Sequence, residues 1–277
     1  MSLDVGTAVA NELETLRGLH SRVRKISPQP AAVASDLSLD ERRFPDIWAT
    51  SVVRRCLDHA AESAEAACAL ILSDDWISPQ FTLLRGTYES AGMATWLLVP
   101  DDPDTRLARL LWQHRDSWKF AETAYSGTPL GVDEQQERQE WADSAAEKLG
   151  VNIKVANPGG FQSLIKSIDS LPQHPESLLT AWRLCSGVSH AKTWALNEVT
   201  TVKSIPLYEH GELSQREPNR EFFLTELQIA RRVVQHAVAL LEIRTTPRPH
   251  SLSVKLVRLD QAGNSVPEDG TAGMKEN

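Results

Sequence analysis

Apolar residues recur at intervals of three, four and seven along most of this chain, the spacing that places them on one face of a helix. Residues 5–26 read as a first helix that stops before Ser27-Pro28-Gln29-Pro30. A Ser, Asp and Pro-containing connection follows to about residue 45. A second helix spans Ile47 to Leu72, with Trp48, Val52, Cys56, Ala60 and Ala67 on one broad side. A third begins near Pro79 and aligns Phe81, Leu84, Tyr88, Thr95 and Val99. The sequence Val99-Pro100-Asp101-Asp102-Pro103-Asp104 stops it and supplies acids suited to capping the next helix, about 103–125. That helix carries Leu107, Leu110, Leu111, Trp118 and Tyr125 on one face. Further helices are expected over 132–149 (closing at Gly150), 159–169, 175–196 and 219–244, the last burying Phe222, Phe223, Val233, Ala237, Leu240 and Leu241. Residues 198–216 break the pattern, with β-branched runs around Pro206 and a turn signal at His210-Gly211, and read as a small β-hairpin. The expected fold is all-α, a bundle of about six to eight helices with that hairpin as decoration.

Three sections follow from the same pattern: residues 1–45 as an N-terminal helix and connection, 46–245 as the helical domain, and 246–277 as a mostly flexible tail. In the tail only SVKLVRL (253–259) could form a strand. A regular βαβ alternation and a glycine-rich phosphate loop are both absent, which argues against a nucleotide-binding α/β fold.

Composition narrows the chemistry. Of 277 residues, 29 are Lys or Arg and 37 are Asp or Glu, a formal net charge of −8. That sign is wrong for a general nucleic-acid coat or a membrane-surface protein, though a local basic cleft is compatible with it. Cys56, Cys68 and Cys185 form no CxxC pair, which speaks against a disulfide framework or a zinc knuckle. The N-terminus MSLDVGTAVANELE has acids where a signal peptide would be basic, and no apolar run reaches the ~20 residues of a membrane span. A cytoplasmic protein with no membrane partner is expected.

Several catalytic readings fall away. None of the eight histidines has a Glu three residues before it, so the Glu-x-x-His pairs of a di-iron bundle are missing. HExxH and GxSxG are also missing. Asp58, His59, Glu62 and Glu65 read as the solvated edge of an Ala-rich helix. Cys185 and His190 lie on near-opposite helix faces, a poor arrangement for a thiol nucleophile. No metal or cofactor is expected.

A set of polar residues remains on seams and inward faces. Arg85 and Glu89 are four apart and border an apolar stripe, with Gly92 beyond them. His114 lies among Leu107, Leu110, Leu111 and Trp118. Arg183 and His190 are seven apart, which returns them to within about 20° of each other on a helix. Ser186 and Gly187 sit between them, and a mid-helix glycine costs roughly 1 kcal/mol against Ala, which points to close approach of something. Each has a structural alternative: an intrahelical ion pair for Arg85 and Glu89, a core histidine for His114, a helix-packing seam for Ser186 and Gly187.

Trp182-Arg183-Leu184-Cys185-Ser186-Gly187-Val188-Ser189-His190 resembles the Arg-x4–6-His motif of the HEPN superfamily, and LLRGTYESAGMATWLL (83–98) is similar to the Arg-x3-Glu helix that precedes it in several bacterial HEPN-like families of unknown function. The resemblance covers roughly residues 47–245. It implies a helical homodimer, with RNA as substrate and a cognate antitoxin or other partner protein, in which many members are metal-independent ribonucleases of toxin or phage-defence systems. On that resemblance His190 is the general acid or base and Arg183 stabilises the phosphorane, with Arg85, Glu89, His114 and Ser186 as supporting or binding residues. Leu184 follows the motif arginine where active members carry a polar residue. Arg106, Arg109, Arg115 and Lys119 add positive charge, but the helical wheel splits them between two sides. A non-catalytic dimeric interaction module, with Arg85, Glu89, Arg183 and His190 as a buried network, is the alternative. A third is a small-molecule pocket lined by Trp96, Trp112, Trp118, Trp182 and Trp194.

Overall fold

A computed structural model describes residues 4–26, 31–73, 76–128, 133–171, 178–208 and 211–247, the side chains of 203–214 excepted. The expected strand at 253–259 and the rest of the tail beyond Pro247 lie outside these residues. The described residues up to Pro247 belong to one unit, an all-α bundle with one two-stranded sheet. Its elements are α1 (Val5–Lys25), α2 (Asp36–Arg43), α3 (Ala49–Ser73), α4 (Pro79–Leu98), α5 (Pro103–Tyr125), α6 (Asp133–Leu149) and α7 (Ile153–Ala156). There follow α8 (Phe161–Asp169), α9 (Leu178–Ser189), α10 (Thr193–Glu198), β1 (Thr200–Tyr208), β2 (Gly211–Pro218) and α11 (Arg220–Thr245).

The centre of the bundle is α4, contacted by α3, α5, α8, α9 and α11. Its sequence explains the placement: from Ala91 onward it is apolar on nearly every side, and Ala91, Gly92, Ala94, Thr95, Trp96, Leu97 and Leu98 are all buried. A helix apolar all round has no face to give to water. Gly92 is where α8 comes close, since a Cβ there would meet Ile165 at 2.8 Å. Phe81, Leu84 and Tyr88 point into the core with Phe223 and Leu227 of α11. No described helix is long and apolar enough to cross a membrane.

Two expectations need correction. The connection before residue 45 contains a helix, α2, whose sequence DLSLDERR has no apolar stripe. Polar contacts hold it beside the one core residue Leu37: Ser35 caps it by accepting from Ser38 N, Asp36 and Asp40 are buried on arginines from elsewhere, and Glu41 accepts from Ala31 N and Thr50. Arg106 grips Asp40 at 2.6 and 3.0 Å and donates to the carbonyls of Pro100 and Asp101. Arg244 binds Asp36 at 2.6 Å and donates to the carbonyls of Leu98, Val99 and Pro100. Two arginines therefore satisfy the orphan carbonyls around the end of α4 while pinning α2 over it. Secondly, 175–196 is not one helix. Ala191 adopts φ 50° and the chain closes by Ala191 N–H to Val188 O and Lys192 N–H to Gly187 O, both 2.9 Å. This is a Schellman termination, after which α10 starts in a new direction.

The hairpin forms as expected, antiparallel from Thr200 opposite Pro218 to Tyr208 opposite Gly211, with a register break between Pro206 and Tyr208. Pro206 has no N–H to give to a ladder. The turn at 209–210 lies outside the described residues.

Candidate functional site

Helices α4 and α9 pack together, and their outer edge gathers most of the residues singled out from the sequence. Arg85 donates from Nε to Glu89 Oε1 at 2.8 Å, one helical turn on. The same Glu89 oxygen accepts from Trp182 Nε1 of α9 at 3.1 Å, so one carboxylate ties the two helices and fixes the guanidinium. The other side of that guanidinium faces His190, with Nη1 3.4 Å from Nε2. Arginine can only donate, so Nε2 accepts in this arrangement and Nδ1 carries the ring proton.

His190 is exposed and follows the last residue of α9, where its N–H still bonds to Ser186 O at 3.1 Å. The Schellman closure immediately after it fixes its backbone. Arg85 thus meets α9 at its C-terminal end, where the helix dipole favours a cation. Arg183 lies two turns back on α9, exposed, its guanidinium bonded to no described group. Seven residues rise about 10 Å along a helix, so the guanidinium beside His190 is that of Arg85 and not Arg183. Neither His190 nor Arg183 is sealed under hydrocarbon.

Gly187 answers the question its cost raised. A Cβ there would lie 2.8 Å from Ala195 Cβ and 2.9 Å from Trp194 Cζ2, so the glycine admits α10 of the same chain. Trp194 rests on this bare backbone with half its surface exposed (54%). The gap between Arg183 and His190 is therefore partly filled from within.

His114 is elsewhere. It wedges between Trp118 and Trp141, with ring centroids 6.2 and 5.2 Å away, and its Nε2 is shielded with no bonding partner. Burial, with Arg138 and Arg55 nearby, lowers its pKa and holds it neutral. The five tryptophans expected to share a pocket are dispersed: Trp96 and Trp112 pair edge to face at 5.4 Å, Trp118 lies beside His114, Trp182 on Glu89 and Trp194 on Gly187. The positive charge of α5 is largely consumed. Arg106 is buried on Asp40, Arg109 donates to the Trp96 carbonyl and stacks 4.7 Å over its ring, and Arg115 pairs with Asp143 at 3.0 Å.

Sequence reasoning missed two polar clusters. Asp58 and Glu65, taken for a solvated edge, both reach His20 of α1 at 3.2 Å, one on each ring nitrogen, and hold α1 against α3. His59 Nδ1 meets Ser90 Oγ of α4 at 2.8 Å. The i, i+7 spacing of Asp58 and Glu65 was visible in the sequence, but the histidine between them comes from 38 residues upstream. Among the described residues no group of His, Cys, Asp and Glu is arranged to hold a metal ion. Cys185 is fully buried beside Glu226 and Tyr88, and burial pushes its thiol far up, which keeps it protonated.

Compared with protein-family models, with curated proteins and with solved structures, the chain matches none.

Proposed function

We propose that the chain is a metal-independent endoribonuclease of the HEPN type, working as a homodimer, with His190 as the proton-transfer group and Arg85 and Arg183 as the phosphate-binding cations. The observation that carries this reading is the exposed His190 imidazole at the end of α9 with the Arg85 guanidinium 3.4 Å away. The chemistry needs nothing further. A base removes the ribose 2′-OH proton, O2′ bonds to phosphorus, and the P–O5′ bond breaks. The departing O5′ takes a proton, leaving a 2′,3′-cyclic phosphate. Imidazole suits both proton transfers near neutral pH. A guanidinium matches the equatorial phosphorane oxygens with paired donors. The half-exposed indole of Trp194 offers a stacking surface for a base of single-stranded RNA.

The relation to the sequence motif changes in one respect. Arg85, expected only in support, is the guanidinium at the imidazole, and Glu89 with Trp182 positions it. The test is cleavage of a fluorescent single-stranded RNA in EDTA by the full chain and by His190→Ala, Arg85→Gln and Arg183→Gln. Loss of about 100-fold or more in His190→Ala, with a marked loss in Arg85→Gln, is expected. Equal cleavage by parent and His190→Ala, or none by the parent, removes the proposal. A specific observation favours a second reading, a non-catalytic module: Glu89 Oε1 accepts from two donors at once and ties α4 to α9, a structural task in its own right. Under that reading none of the four proteins cuts RNA.

A further inference from the structure

A separate cavity of about 710 Å³ opens where the segment before α3, the first half of α3 and the middle of α5 meet. Its size lies within the range of small-molecule sites. Its walls combine two kinds of surface. The indoles of Trp48 and Trp118 supply flat aromatic area, Trp48 being 37% exposed. Trp48 is held in place by donating from Nε1 to the Pro45 carbonyl at 3.0 Å, and Trp118 lies under the Arg138 guanidinium at 5.4 Å. Arg55, Gln113 and Ser117 line the same cavity.

Arg55 differs from the paired or stacked arginines of α2 and α5. Arg43 is paired with Asp104, Arg106 with Asp40 and Arg115 with Asp143, and Arg109 is held on Trp96. Arg55 is exposed on the cavity wall, and no described group bonds to it. The local field is positive: Arg138 and Arg55 both act against protonation of the His114 ring, which also lines the cavity. One carboxylate, that of Asp46, lies on the wall ahead of α3. A single free guanidinium with a carboxylate in the same cavity suits a ligand of one negative charge better than a di- or triphosphate.

We propose that this cavity is a binding site for a small planar aromatic monoanion, its ring against Trp48 and Trp118 and its carboxylate on Arg55. Gln113 and Ser117 add polar side chains to the same wall. The proposal does not depend on ribonuclease activity, because none of its residues belongs to the Arg85–His190 edge.

The test is calorimetric titration of the full chain with 2-naphthoate, with 2-naphthylmethanol and AMP as comparisons. Saturable binding of the naphthoate with a Kd below about 1 mM is expected. The neutral alcohol should bind about tenfold more weakly or worse, since a charge-assisted bond is lost. Arg55→Gln and Trp48→Ala should each weaken naphthoate binding by a similar factor. Both positions are at least partly exposed, so circular dichroism should show folded variants. His190→Ala should bind naphthoate like the parent. Absence of saturation at about 10 mM overturns the site. Equal affinity for acid and alcohol, or no effect of Arg55→Gln, overturns the role of the charge, and AMP binding more tightly than naphthoate overturns the ligand class.

Discussion

Replacing Glu226 by Gln should stabilise the bundle at pH 8 and leave it nearly unchanged at pH 4.5. Glu226 sits on α11 with 6% of its surface exposed, against Tyr88 of α4. The Tyr88 hydroxyl is 2.7 Å from the Glu226 main-chain carbonyl and 3.2 Å from its Oε2. The Tyr88 hydroxyl is the donor in both contacts, and the Glu226 oxygens accept. Burial raises the Glu226 pKa to about 7, the hydrogen bond from Tyr88 opposing it. The sign follows from proton linkage. Below about pH 4.5, the ordinary value for Glu, folded and unfolded chains both hold the proton and nothing is lost. Between 4.5 and about 7 the unfolded chain ionises while the folded one does not, and stability falls as pH rises. Above 7 the deficit levels off at about 3 kcal/mol. Gln keeps the shape and an oxygen that accepts from the Tyr88 hydroxyl but has no proton to lose, so the deficit disappears. Thermal and urea unfolding of parent and variant, followed by far-UV circular dichroism at pH 4.5 and 8, should show curves that nearly coincide at the lower pH. At pH 8 the variant should melt about 5–10 °C higher. A stability difference independent of pH, or a variant less stable at pH 8, would refute the reasoning.

Arg106→Ala should cost about 3–5 kcal/mol in urea unfolding, because it strands the carboxylate of Asp40, itself only 2% exposed, and part of the loss should return in the double variant with Asp40→Asn. A loss under about 1 kcal/mol would mean that the pair does not hold α2 in place. Gly187→Ala should destabilise by about 1–3 kcal/mol and change the fluorescence of Trp194, since the new methyl would meet Ala195 and Trp194 at under 3 Å. Parent-like melting and emission would show that α10 is free to move away.

The long helices were legible in the sequence because each buries one side in the same core, and burial writes a 3.6-residue period into the chain. Phe81, Leu84 and Tyr88 were assigned inward on spacing alone, and all three are buried. The hairpin was legible for the corresponding reason, β-branched runs broken by Pro206 and Gly211. Helix α2 was not, because acids and arginines carry no period, and its partners Arg106 and Arg244 lie 66 and 208 residues away. The break at Ala191 was hidden as well. An alanine in a left-handed turn looks like any helical alanine until the groups it joins are seen.

The same division runs through the candidate site. The four-residue spacing alone paired Arg85 with Glu89, since that is an intrahelical relation set by the pitch. Which guanidinium stands beside His190, which carboxylate receives Trp182, and what occupies the space over Gly187 were decided by how α4, α9 and α10 pack. A helix's own geometry is local and repeats along the chain. The meeting of two helices depends on side chains about a hundred residues apart, and no local pattern encodes that distance.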